Sequence, residues 1–357
     1  MSGAGSGADE ARPAGGAGTA ADLSADSSTA PDGQVLVLLV EAWEDGGAYL
    51  SGQELAGKLD LTRPQLLARF DSLRSRGYVL QAVPGAGYRL VGLPDAIDAR
   101  TLAPLLFDLD LGRPLHLHAA LGSTNDEAHR LAEEGAPHGT LVLAEAQSQG
   151  RGRRGRQWVT PPGRALALSL VLRPALPPAR APELQLVAAV AACEAARALG
   201  AAKAAIKWPN DIESGGPKLA GLLAELRAQG EVLQHVVLGI GFNVNLTASE
   251  LPEELRPIAT SLLIERGSPA PRSWALLRLL ERLDHWLGVH ESEGFEPIRA
   301  RWRELSSTLR RQVRVEAATP LLGEAIDLAD DGALVVLDAA GTVHKISAGD
   351  VEHLRPA

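Results

Sequence analysis

Gly150-Arg151-Gly152-Arg153-Arg154-Gly155-Arg156, running into Gln157-Trp158, is the stretch on which the reading of this chain turns. Four arginines are interleaved with three glycines. Glycine lets backbone approach a ligand closely, and guanidinium groups take phosphate or carboxylate in forked pairs. A flexible basic loop that touches RNA has the same composition. Strand patterns on both sides (Thr140–Ala144 and Ala165–Leu172) and the tryptophan that follows favour a loop held over a site inside a domain.

Four more motifs lie around it. Upstream, Gly122-Ser123-Thr124-Asn125-Asp126 reads as a helix N-cap, and a helix N-terminus also binds small polar groups. Downstream, Lys207-Trp208-Pro209-Asn210-Asp211 places a cation and a carboxylate four apart around a rigid proline; a surface turn with an ion pair reads the same way. Lys218-Leu219-Ala220-Gly221-Leu222-Leu223-Ala224-Glu225 is a lysine entering an apolar, β-like run, so Lys218 is either a cation set beside phosphate or an exposed strand-end lysine. Gly239-Ile240-Gly241-Phe242-Asn243 puts two glycines in a strand, which marks close backbone approach or a bulge. It lacks the third glycine and following helix of a dinucleotide fingerprint.

Further out, the chain divides into four segments, and the expected fold class is α+β and multidomain. Residues 1–32, rich in Gly, Ala, Ser and Asp, offer little apolar surface and read as a disordered tail. Residues 33–93 read as an apolar helix (Val35–Trp43), a second helix with Ser51 and Glu54 at capping-box spacing, and a third started by Thr62 with Pro64 in its first turn. Two short strands near Tyr78–Ala82 and Tyr88–Val91 follow. That order is the order of a winged helix-turn-helix. Thr62 to Leu90 carries five arginines and one acid, a net +4, which makes its recognition helix and wing the basic face; Thr62, Arg63, Gln65, Arg69 and Arg74 are the candidate DNA contacts. A winged domain that mediates only protein contacts is the alternative. Residues 94–305 mix strands (also His235–Ile240) with helices over Asn125–Glu134, Glu183–Gly200 and Pro271–Glu291, which implies a substantial sheet. Residues 306–357 read as a small β unit with strands Val313–Val315, Leu321–Asp327, Leu334–Leu337 and Val343–Ile346.

The bulk composition sets limits. The chain has 357 residues, is 45% hydrophobic and 22% charged, and carries a net charge of −9, which argues against a protein coated in nucleic acid. No apolar run reaches the roughly 20 residues a membrane helix needs. The N-terminus lacks a secretory pattern. A single cysteine, Cys193, excludes an internal disulfide and a cysteine metal cluster, and its place in the apolar run Leu184–Leu199 reads as a buried structural thiol. The expected location is the cytoplasm, with no membrane partner and no metal-ligating residues.

The five motifs, in this order and wording, resemble those of the biotin protein ligases, in the two-function form that is also the biotin operon repressor. The resemblance runs over about residues 34–357, and the arginine–glycine loop with Lys207–Asp211 carries most of its specificity. It implies a winged helix-turn-helix, a central domain like the core of class II aminoacyl-tRNA synthetases, and an SH3-like C-terminal barrel. It also implies ATP-dependent formation of biotinyl-5′-AMP and transfer of biotin to a lysine of a biotin carboxyl carrier protein, with Mg²⁺. By family pattern Ser123, Thr124 and Gln147 meet the biotin ring and ureido group, with Asn125 beside them. Gly150, Arg151, Gly152 and Arg153 belong to the loop that closes over biotin and the adenylate phosphate. Lys218 is expected near the biotin carboxylate and α-phosphate, with Gly221 following it. Asn243 is expected at the adenine, with Gly241 also among the ligand-binding residues, and Asp211 is expected to orient the acceptor lysine. Lys218, Arg153 and Asp211 are thus the expected catalytic residues. The family's repressors bind operator DNA as dimers when loaded with biotinyl-adenylate. A DNA-binding biotin sensor with little ligase activity and a lipoate ligase are the competing readings.

Overall fold

The computed structural model describes residues 19–21, 29–316, 320–347 and 349–353. Strand β1 (Thr19–Ala21) and helix α1 (Thr29–Glu44) open the described chain. Both correct the expectation of a tail over 1–32; its remaining residues lie outside the described ones. α1 starts earlier than the apolar run Val35–Trp43 because Asp32 is not a solvent residue. It is fully buried, accepts from Ser72 Oγ at 2.6 Å, and lies 3.4 Å from both Arg69 and Arg76.

α2 (Gly52–Lys58) and α3 (Arg63–Ser75) follow. Thr62 and Gln65 form a reciprocal capping box that starts α3. Ser51 caps α2 through Gln53 N, without the expected box to Glu54. α3 buries Leu66, Phe70 and Leu73, three and four residues apart, against α1. β2 (Val79–Val83) and β3 (Gly87–Gly92) make an antiparallel ribbon.

The central unit holds α4 (Ala99–Leu105), β4 (Leu115–His118), α5 (Thr124–Glu133), β5 (Leu141–Ala144), β6 (Ala165–Leu172), α6 (Glu183–Ala198), β7 (Ala204–Lys207), β8 (Asp211–Ser214), β9 (Lys218–Gln229) and β10 (Val232–Asn243). α7 (Leu262–Arg266), α8 (Arg272–Glu293) and α9 (Glu296–Leu305) complete it. Its sheet runs β1-β4-β5-β6-β10-β9-β8-β7, antiparallel except for β4 beside β5. Side chains alternate across it. Val142, Val171 and Val237 face α5, whereas Leu141, Leu170 and Leu238 belong to the main core under α6 and α8. All eight residues of β6 are buried, as a strand covered on both faces requires. α6 carries the one cysteine, Cys193, fully buried, and burial pushes its thiol up to about 12.

Three features differ from expectation here. The strand placed at His235–Ile240 is half of a twelve-residue hairpin pair, β9 and β10. α4, α7 and α9 were not anticipated. The irregular pairing in that hairpin falls between Leu233 and His235, not at Gly239 or Gly241, so the glycines are not a bulge.

The C-terminal unit is an antiparallel sheet of five strands, one more than expected: β11 (Gln312–Glu316), β12 (Leu321–Leu328), β13 (Leu334–Asp338), β14 (Val343–Ile346) and β15 (Asp350–His353). Its order is β14-β13-β12-β11-β15. Trp208 ties it to the central unit. That side chain is 2% exposed, its amide donates to Thr308 Oγ1 at 3.0 Å and its indole to the Gly332 carbonyl at 3.4 Å. Among the described residues no helix is long and apolar enough to cross a membrane.

Candidate active site

A cleft of about 690 Å³ opens where the N-terminus of α5, the glycine–arginine loop, strands β8–β10 and the start of β15 converge. All five motifs contribute to its wall.

At one end, the backbone N–H of Thr124 donates to Gln147 Oε1 at 2.8 Å, and its hydroxyl lies 3.2 Å from the same oxygen. Ser123 is the N-cap residue but makes no side-chain cap bond, which leaves its hydroxyl, on the cleft wall, uncommitted to the helix. Asn125 is 4% exposed and fixed in orientation: Ser169 Oγ donates to its Oδ1 at 2.6 Å, and its Nδ2 donates to Glu225 Oε2 at 2.6 Å. Gly239 is glycine for this reason, because a Cβ there would sit 2.2 Å from Asn125 Oδ1.

Behind Glu225 lies a buried histidine pair, with His129 Nδ1 3.0 Å from His235 Nε2 and His129 Nε2 3.8 Å from Glu225. Burial lowers the pKa of both rings from the usual imidazole value, most strongly opposed in His129 by the Glu225 carboxylate.

The loop is a short hairpin, not a loose coil. Gly152 N donates to the Arg156 carbonyl at 2.7 Å and Trp158 N to the Gly150 carbonyl at 2.8 Å. Gly150 itself is buried at the neck and lies outside the cleft lining; a Cβ there would meet the Trp158 carbonyl at 2.4 Å. Its part is to let the neck close. Gly152 does line the cleft. Arg151 pairs with Asp126 at 2.6 Å and Glu225 at 3.3 Å. Arg153 reaches toward the C-terminal unit, and burial lowers its guanidinium from the usual value, with Asp350 opposing.

Lys218 and Asp211, expected as a cation and a carboxylate from separate motifs, meet at 2.7 Å. The β8–β9 pairing sets Asp211 opposite Gly221, and the Lys218 side chain reaches back over that glycine to meet it. Lys218 Nζ stands 5.4 Å from the Trp158 ring centroid, and that ring lies over Gly221 and Gly241. A Cβ on Gly241 would come within 2.2 Å of Trp158 Cε2. Trp158 Nε1 is buried without a hydrogen-bond partner among the described residues, an uncompensated donor in the wall of the cleft. Asn243 is 5% exposed and donates to the Thr260 carbonyl at 2.9 Å.

The candidate DNA contacts are placed unevenly. Arg63, Gln65 and Arg74 are exposed on α3, although Gln65 and Thr62 spend their side chains on the capping box and Arg74 pairs with Asp71 at 3.0 Å. Arg69 is a correction: it is half-buried against Asp32, because the buried carboxylate of α1 needs a cation.

Sequence reasoning left Ser169, Glu225, Trp158 and Asp350 unassigned. Ser169 had a signal, as the one polar residue in an eight-residue apolar strand. Glu225 closes the Lys218 motif but had no role assigned, and Asp350 had no signal, since a charge in or beside a strand usually faces water.

Comparison with known proteins agrees with this geometry. Residues 119–243 match the Biotin/lipoate A/B protein ligase family, and residues 308–354 match the Biotin protein ligase C terminal domain. The chain is 33% identical over 316 residues to the bifunctional ligase/repressor BirA of Bacillus subtilis, covering 88% of this chain and 97% of that one. It is 37% identical over 268 residues to the biotin--[acetyl-CoA-carboxylase] ligase of Mycobacterium tuberculosis, covering 72% and 96%. Among solved structures, the biotin protein ligase from Aquifex aeolicus in complex with biotin and ATP superposes with a TM-score of 0.58 at 28% identity, over 67% of this chain and 98% of that one.

Proposed function

The chain belongs to the biotin protein ligase family and is a ligase enzyme, and from that premise we propose that it joins biotin to ATP as biotinyl-5′-AMP and then passes biotin to a lysine of a biotin carboxyl carrier protein. The observation that carries the reading is the convergence of Lys218, Asp211, Trp158 and the arginine loop on one cleft whose far end is the Thr124–Asn125–Gln147 cluster.

In the first step an oxygen of the biotin carboxylate attacks the α-phosphorus of ATP, and diphosphate leaves. Anion meets anion, so fixed positive charge must offset the repulsion; Lys218 and the arginines of the loop supply it from a preorganised frame. Asp211 holds Lys218 in place. Ser123, Thr124 and Gln147 present hydroxyl and amide groups suited to a ureido ring, and Asn243 stands for the adenine. In the second step the neutral amine of the acceptor lysine attacks the acyl carbon, AMP leaves, and a carboxylate at Asp211 is placed to receive or orient the proton. A loop closed over the mixed anhydride excludes water. Among the described residues no three His, Cys, Asp or Glu side chains are grouped to hold a metal ion. Mg²⁺ carried by the ATP phosphates would add to the positive charge at the cleft.

The N-terminal unit supports a second activity, biotin-responsive repression by a winged helix-turn-helix in a homodimer loaded with biotinyl-adenylate. Its support is the helix-helix-helix-ribbon order, the exposed Arg63 and Arg74, and the full-length match to proteins named bifunctional ligase/repressor. A cytoplasmic location fits that pairing of roles, as do a class II synthetase-like centre and an SH3-like C-terminal unit. ATP–diphosphate exchange tests the ligase reading: it should depend on biotin and ignore lipoate. Exchange driven by lipoate would move the assignment to the other branch of the family.

A further inference from the structure

Three of the loop's four arginines end on one carboxylate that belongs to another unit. Arg156 Nη2 forms a close ion pair with Asp350 Oδ2, Arg154 Nη1 lies 3.6 Å from the same oxygen, and Arg153 Nη1 lies 3.8 Å from Oδ1. Two backbone carbonyls add to the attachment. Arg153 donates to the Gly349 carbonyl at 3.2 Å and Arg154 to the Glu316 carbonyl at 3.1 Å. Glu316 and Asp350 are themselves opposite partners in the β11–β15 pairing, and Gly349 directly precedes β15, so the acceptors sit in or beside one sheet. Arg154 also adopts a left-handed backbone (φ 55°, ψ 36°), which a residue with a side chain keeps only where its surroundings determine it. The Asp350 side chain is 17% exposed, against 49% for Arg154 and 68% for Arg156; the carboxylate is the fixed half of the contact. One negative charge among three positive ones holds the loop without neutralising it, and the surplus still faces the cleft.

We propose that Asp350 is a positioning residue that clasps the glycine–arginine loop to the C-terminal unit across the mouth of the cleft, so that this unit is part of the closure that retains the reactive intermediate. The retention half of this statement rests on the ligase reading above; the clasp itself does not. It therefore has a test that needs neither biotin nor ATP. Trypsin cleaves after arginine, and cutting requires the loop to open. The full-length, ligand-free protein is digested at a series of salt concentrations, and new ends within residues 152–157 are followed by mass spectrometry. In the wild type, cutting should be slow at low salt and quicken as salt screens the pairs. Asp350→Asn should raise the low-salt rate about tenfold and flatten the salt response, because cutting follows the open population. Asp350→Glu should restore both, and an unchanged unfolding temperature shows that the fold is kept. With the clasp gone, bound biotinyl-adenylate should also escape about tenfold faster. Equal cutting rates and equal salt responses in the wild type and Asp350→Asn would overturn the proposal, whatever the ligase assay reads.

Discussion

Glu225 gathers three neighbours on one carboxylate: Asn125 Nδ2 at 2.6 Å, Arg151 at 3.3 Å and His129 at 3.8 Å. It thereby couples the root of the arginine loop to the amide that sits at the N-terminus of α5. Glu225→Gln keeps the volume and an acceptor for Asn125 but removes the charge that Arg151 answers. A lost charge-assisted bond of about 1.5 kcal/mol corresponds to roughly a tenfold effect, and Asp126 still holds Arg151. Steady-state kinetics should therefore show KM for biotin raised about tenfold with kcat little changed. An unchanged KM would mean that Glu225 only fills space.

Strand β10 shows how an element serves the site. Its glycines at 239 and 241 face Asn125 and Trp158, so backbone is brought where a side chain would block. Gly241→Ala should displace the Trp158 ring, cost about 1–3 kcal/mol in denaturant unfolding, and weaken biotin binding followed by tryptophan fluorescence. Stability and fluorescence equal to wild type would contradict that packing. The same strand marks how far sequence reading goes. Two glycines in a strand signal either a bulge or a close approach, and only the side chains across the sheet decide, here in favour of approach. β6 was legible because both its faces are buried and its pattern is unbroken. The outer half of the β9–β10 hairpin was not, since Leu226–Gly230 is exposed and its pattern follows no core. α9 carried a readable spacing in Ile298, Trp302 and Leu305 that went unused, whereas Pro104 inside α4 disguised that helix. Among site residues, those inside worded motifs were legible. Ser169, Glu225 and Asp350 act through contacts at least 44 residues distant in sequence, which no local pattern encodes.

At the scale of the whole molecule, the central and C-terminal units line the cleft and the N-terminal unit packs behind it. The N-terminal unit seats on α8: Trp43 packs edge-on against Trp274 with ring centroids 5.0 Å apart, and Trp274 Nε1 donates to Glu44 at 2.8 Å. Buried Arg272 then joins Asp95, just after the ribbon, to Glu145, whose carboxylate also takes the Gly163 amide beside the loop. A chain of contacts thus runs from the unit read as DNA-binding to the segment that follows the arginine loop. Filter binding to the gene's own upstream DNA should strengthen when biotin and ATP are both present. Arg63→Ala and Arg74→Ala should each weaken it and lower the salt slope by about one. Binding indifferent to biotin and ATP would leave the ligase intact and remove the repressor reading.

On the proposed function, this one cleft carries biotin from ATP activation to a lysine. The most direct measurement of this is transfer of labelled biotin to a biotin carboxyl carrier domain by the purified protein with ATP and Mg²⁺, beside Lys218→Ala. Label should appear on the carrier with the wild type and fall by about 10²–10³-fold in the variant, as expected when a preorganised charge is removed. No transfer by the wild type, or full transfer by Lys218→Ala, would contradict the proposed function.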